Sequence, residues 1–173
     1  MKAFTDWLAA TPPSVLIQHN EVWFIPAVQS IHIAAIGVVL ACVLMMTLRL
    51  LGYAGLDQGV AQIQRRFGPW LKGALVLLLC TGVLMIIGEP ERELITFSFW
   101  AKMALVLVGT GVALGFERML RVRGEAWADT LPASGRVKAM AVATLVVWLA
   151  VVFLGRLIAY DHIWGPLSPA TKA

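Results

Sequence analysis

The stretch WFIPAVQSIHIAAIGVVLACVLMMTLRLL, residues 23–51, decides the fold. Its one formal charge is Arg49, close to its end, and its polar residues are few and scattered. About 20 apolar residues in a helix cross roughly 30 Å of hydrocarbon, so this run is long enough to span a bilayer with tilt or to project beyond it. Hydrocarbon offers backbone N–H and C=O groups no partners, which leaves only helices and closed barrels as spanning structures. The run is continuous rather than alternating, and that selects a helix. Pro26 falls in its first turn, where a missing N–H costs little.

Three more runs of the same kind follow, over about 69–88, 97–120 and 137–160. The expectation is an all-α protein, an integral membrane four-helix bundle forming a single membrane domain over residues 1–173, with a short N-terminal interfacial helix in segment 3–20. Phe4, Trp7 and Leu8 at i, i+3 and i+4 give that segment one apolar face, and Pro12-Pro13 ends its first turn. The chain is 60% hydrophobic and 14% charged, too apolar for a soluble domain of this size. Its net charge of +4 does not point to nucleic acid, because the basic residues flank the spans instead of forming a stripe. Cys42 and Cys80 lie inside apolar runs and read as small buried hydrophobes. The N-terminus lacks a basic region followed by an apolar core, so no cleaved signal peptide is expected.

The connector 52–68 contains an amphipathic stretch around Val60 to Phe67 that reads as a short surface helix, and the acidic turn EPERE, residues 89–93, separates the second and third spans. Arg49, Arg65, Arg66, Lys72, Arg118, Arg121, Arg123, Arg136 and Lys138 gather at one face. By the positive-inside bias that face is cytoplasmic in a bacterial inner membrane, with both termini and the acidic turn in the periplasm. Trp7, Trp23, Trp100 and Trp164 would mark the outer interface and Trp70 and Trp127 the inner one, leaving Trp148 in mid-span. Gly111 with Gly115, and Gly37 with Ala41, are the small-residue pairs expected to supply helix contact. The tail after Tyr160, turn-rich, reads as irregular.

Ionisable groups inside a span are costly and mark where function is sought. His32 lies roughly 12 Å below the outer edge at 1.5 Å per residue, and Gln29, at i−3, shares its face. Lys102 opens the third span, Arg156 closes the fourth in GRLIAY, and Glu89 ends the second. These five residues define a hypothetical outer-half site. In the plainer account Lys102 and Arg156 snorkel, Glu89 pairs with one of them, and His32 bonds a carbonyl. In the sharper one His32 ligates a metal or haem b, while Lys102 and Arg156 neutralise propionates. Cys80, Met85 and Met103 lie at similar depth and offer soft ligands. Against haem, no second span carries a histidine, since His19 and His162 fall outside the spans. Arg49, Glu117 and Arg118 form an inner group that reads as surface ion pairing.

The segments WLAATPPSVLIQ, VQSIHIAAIG, TLRLLG, the EP turn, FWAKM and GRLIAY resemble an uncharacterised bacterial family of four-helix inner-membrane proteins, over about Trp7 to Tyr160. The resemblance implies four spans and brings no activity or cofactor. Relatives of this kind end the third span with Phe-His where this chain has Phe116-Glu117. More distantly the layout is similar to copper-resistance D and b561-type membrane proteins, whose paired span histidines are not matched.

Two functional readings follow. The first is a non-catalytic accessory or scaffold protein that contacts the lipid bilayer and either a membrane-protein complex or a homo-oligomer partner. The second is a redox or ligand-binding protein using His32. No nucleophile with a base near it points to a hydrolase, and no broken span or charge ladder points to a transporter.

Overall fold

A computed structural model describes residues 2–160; the placements expected for Trp164, His162 and the tail lie outside the described residues. The long helices are α3 (Glu21–Leu51), α4 (Val60–Gly88), α6 (Phe97–Arg123) and α8 (Gly135–Leu157). Short helices surround them: α1 (Lys2–Ala9), α2 (Pro12–His19), α5 (Pro90–Leu94) and α7 (Glu125–Ala128), with a 3₁₀ turn at Leu131–Ala133. No strand occurs among the described residues, and all four long helices are long and apolar enough to cross a membrane.

The sequence places α3 at the centre. It packs against α4 on one side and α8 on the other, α6 packs on α8, and the α4/α6 seam is the loosest. Val39, Val43, Ala74, Trp148 and Val151 form the mid-bundle core. Leu50, Val60, Leu120, Ala128, Leu131 and Ala141 form a second core at the basic end. Thr47 Oγ1 donates to Ala141 O at 3.2 Å and stitches α3 to α8 between them.

Helix α4 starts nine residues before the expected Pro69, because Val60 and Ile63 on its first turns are fully buried. That burial outweighs the one hydrogen bond that Pro69 removes. Pro26 likewise lies inside α3 rather than in its first turn, because the helix starts at Glu21. Gly52, at φ 85°, ends α3 with Tyr53 N donating to Leu48 O at 2.9 Å and Gly52 N to Arg49 O at 3.2 Å, a Schellman closure that needs the left-handed residue. Arg49 then donates from Nε to Gln58 O at 2.6 Å and anchors the connector.

The N-terminal segment folds as two helices, with Pro12 opening the second instead of only ending the first. The apolar face of α1 stays outward, Phe4 and Trp7 being exposed, whereas α2 docks on the end of α4: the fully buried Ser14 donates from Oγ to Ile87 O at 2.6 Å.

Small residues do supply helix contact, but at other positions than expected. A Cβ on Gly111, Gly115 or Gly37 would meet nothing within 4 Å, whereas one on Gly109 would sit 3.0 Å from the Trp148 indole. Trp148 is fully buried and has no room to withdraw. Gly109→Val is therefore expected to lower folding stability by about 1–3 kcal/mol through overpacking. Thermal unfolding in detergent checks this, with Gly73→Val on α4, where an added Cβ meets nothing within 4 Å, as the comparison expected to leave the midpoint close to that of the parent.

Candidate functional site

At the N-terminal end of the bundle, His32 on α3 faces α4. Its Nδ1 lies 2.7 Å from Thr81 Oγ1, and Thr81 Oγ1 in turn donates to Leu77 O at 2.7 Å. A hydroxyl has one proton, so when it goes to Leu77 O the His32 Nδ1–H is the donor and Nε2 keeps its lone pair. The ring edge rests over Gly82, where a Cβ would stand 3.8 Å from Cε1. Polar contacts of this kind between spans contribute roughly 0.6 kcal/mol. That is enough to orient the ring and too little to hold the bundle.

Lys102, from the first turns of α6, is only partly exposed, and its Nζ stands 5.3 Å from the Phe99 ring centroid. It is near enough to act electrostatically on His32 and on Glu93. Glu93 is 3% exposed and was not singled out by sequence, because EPERE reads as a solvated acidic turn. The detectable signal was spacing: Pro90 and Glu93, three apart on α5, share its buried side. Burial pushes the Glu93 carboxyl above the usual range, Lys102 and then Arg92 pull it partly back, and Glu89 adds to the rise.

The five expected site residues therefore do not all converge. Lys102 lies within electrostatic range of His32, and Gln29 lies half-buried one turn from His32 on α3. Glu89 pairs with Arg92 at 2.8 Å instead of with Lys102 or Arg156. Arg156 is exposed, its guanidinium 5.7 Å from the Tyr160 ring centroid. Cys80 is exposed on the outside of α4, unlike the buried Cys42. Among the described residues no three His, Cys, Asp or Glu side chains are placed to share a metal ion. His19 is exposed at the end of α2 and offers no second imidazole near His32.

The basic end carries a different arrangement. Glu117 accepts from Lys72 Nζ and from Arg121 Nη2, each at 3.0 Å, rather than pairing with Arg118. The first of these bridges the loose α4/α6 seam. Arg65 pairs with Glu125 and ties α4 to α7. Behind these pairs lies an apolar cavity of about 220 Å³ lined by all four long helices.

Four apolar helices of spanning length, capped by short helices at both ends, define a multi-pass α-helical membrane protein. The chain belongs to the family of unknown function DUF6644, whose family model matches residues 18–161. No curated protein and no solved structure matches it, so the more distant likeness to copper-resistance D and b561-type proteins gains no support.

Because the folded Glu93 carboxyl holds its proton above the ordinary value of 4.5, the folded state binds more protons than the unfolded state once pH passes that value. Stability contributed by the protonated form is therefore complete below 4.5 and falls as pH rises to the elevated folded value. Glu93→Gln is expected to flatten that fall and to keep the neutral-pH unfolding midpoint at or above the parent's. Unfolding midpoints across a pH series check it; an unchanged slope in the variant would contradict the assignment.

Proposed function

We propose that this protein is a non-catalytic accessory subunit of a bacterial inner membrane, acting by helix contact with a membrane complex or with a second copy of itself. The clustering of basic residues at one end supports an orientation with that end in the cytoplasm. One observation carries the reading. Helix α6 is the least covered span, with 11% of its apolar stretch buried against 28% for α3. Its outward stripe runs through Ala104, Val108, Gly111, Gly115 and Met119, all exposed. Glycine inside a helix costs about 1 kcal/mol relative to alanine, and lipid tails do not require it. A partner helix does, since small residues spaced four apart let two backbones approach closely.

Gly111→Leu with Gly115→Leu is expected to weaken assembly roughly tenfold or more while leaving the fold intact, since both positions are exposed and a Cβ at either meets nothing within 4 Å. Mild-detergent purification followed by mass measurement of the assembly reads this. A parent chain that is monomeric and free of any stoichiometric partner would overturn the proposal.

A second reading, a ligand or b-type haem site using His32, is favoured by the Nε2 lone pair that the Thr81 contact leaves over. The charge of Lys102, which acts on His32 electrostatically, favours an anionic group, such as a propionate, over a bare metal cation. Gln29 would then line the site, while Arg156 and Glu89 would have to leave Tyr160 and Arg92 to join it. A Soret band in oxidised and dithionite-reduced protein that disappears in His32→Ala would favour this reading. Colourless, metal-free protein from haem-replete cells would dismiss it.

A further inference from the structure

The cavity at the basic end lies apart from His32 and shares only Met119 with the outward stripe of α6. It measures about 220 Å³, and its wall includes Met46 from α3, Phe67 from α4, Phe116 from α6, Trp127 from α7 and Met140 from α8. Two threonines on the wall have their hydroxyls already spent: Thr47 donates to Ala141 O at 3.2 Å and Thr144 to Met140 O at 2.8 Å. Gln64 supplies the one amide side chain. An apolar cavity of roughly 150 Å³ already stays dry and takes up small hydrocarbons, so the occupant this larger one fits is a hydrocarbon chain.

Its rim specifies what that chain is attached to. The Arg66 guanidinium carbon stands 5.7 Å from the centroid of Phe67, and that of Arg123 stands 5.0 Å from the centroid of Trp127. Both rings belong to the cavity wall, so two exposed cations are posted beside it. Neither forms an ion pair among the described residues, while the Glu117 and Glu125 carboxylates are already held by Lys72, Arg121 and Arg65. The Arg65–Glu125 pair ties together the two segments that carry Arg66 and Arg123. The α4/α6 seam, bridged by Lys72 and Glu117, is the loosest side of the bundle and the natural entrance.

We propose that this cavity takes the headgroup-proximal part of one acyl chain of an anionic phospholipid from the surrounding bilayer, entering at the α4/α6 seam, with the phosphate held by Arg66 and Arg123. Apolar burial seats the chain, and the two unneutralised cations select a headgroup of net negative charge over a zwitterionic one.

The full chain, delipidated in detergent and titrated with phosphatidylglycerol or phosphatidylcholine, is read by native mass spectrometry. One tightly retained phosphatidylglycerol per chain is expected, preferred over phosphatidylcholine roughly tenfold or more. Arg66→Gln with Arg123→Gln, at exposed positions, should abolish the preference without disturbing the fold. Ala113→Phe, which fills the cavity, should lose retention of both lipids; Ala113→Leu serves if the larger side chain prevents folding. Equal retention of the two lipids by the parent would overturn the proposal. So would unchanged retention in a folded cavity-filling variant, or a neutral isoprenoid lipid occupying the site in purified protein.

Discussion

Hydrocarbon accepts and donates no hydrogen bonds, and nearly every polar contact in this chain answers to that constraint. Backbone groups are satisfied within the long helices, and three hydroxyls on those helices turn back to backbone carbonyls of their own helix: Ser30 to Pro26, Thr81 to Leu77, Thr144 to Met140. Where a polar side chain reaches another element, it becomes a tie. Ser14 joins α2 to α4, His32 joins α3 to α4, Thr47 joins α3 to α8, and Lys72 joins α4 to α6. Among the fully buried side-chain nitrogens and oxygens of the described residues, Trp148 Nε1 has no partner. Its ring is held by packing on Gly109 and the mid-bundle core, so there shape outweighs one unmet donor.

These ties radiate unequally. Helix α3 takes contacts from both sides and carries the core, whereas α6 leans on α8 and leaves most of its circumference outward. An exposed ion pair such as Lys72–Glu117 contributes about 0–1 kcal/mol. It registers α6 against α4 more than it binds it, and the seam behind it remains loose enough to enclose a cavity. The openness of the bundle thus has one origin in two places: an uncovered helix face on one side of α6 and an unfilled interior on the other.

The four spans were legible because length and continuous hydrophobicity report directly on the solvent. The start of α4 was not, since Pro69 is a local stop signal and the burial of Val60 and Ile63 that overrides it is tertiary. At the N-terminal end, depth along the helix singles out His32 and Lys102, which lie within electrostatic range of each other. Depth carries no information on rotation about the helix axis, so Arg156 and Glu89 joined the expected group although one stacks on Tyr160 and the other pairs with Arg92. Glu93 went unnoticed for the converse reason: an acidic run reads as solvated, and only the turn of α5 reveals that one member points inward. Gly111 and Gly115 carry the same lesson, since their spacing announces a helix contact without saying which partner supplies it.

The claim that joins these points is that the uncovered face of α6 is an interface. Single cysteines placed along α6 in a background with Cys42 and Cys80 replaced, then cross-linked in native membranes, address it directly. The account predicts cross-links at Ala104, Val108, Gly111 and Gly115, which share the outward stripe, and none at Val112 or Ala113, which line the cavity. Cross-links absent from the whole helix, or spread evenly around it, would contradict the account.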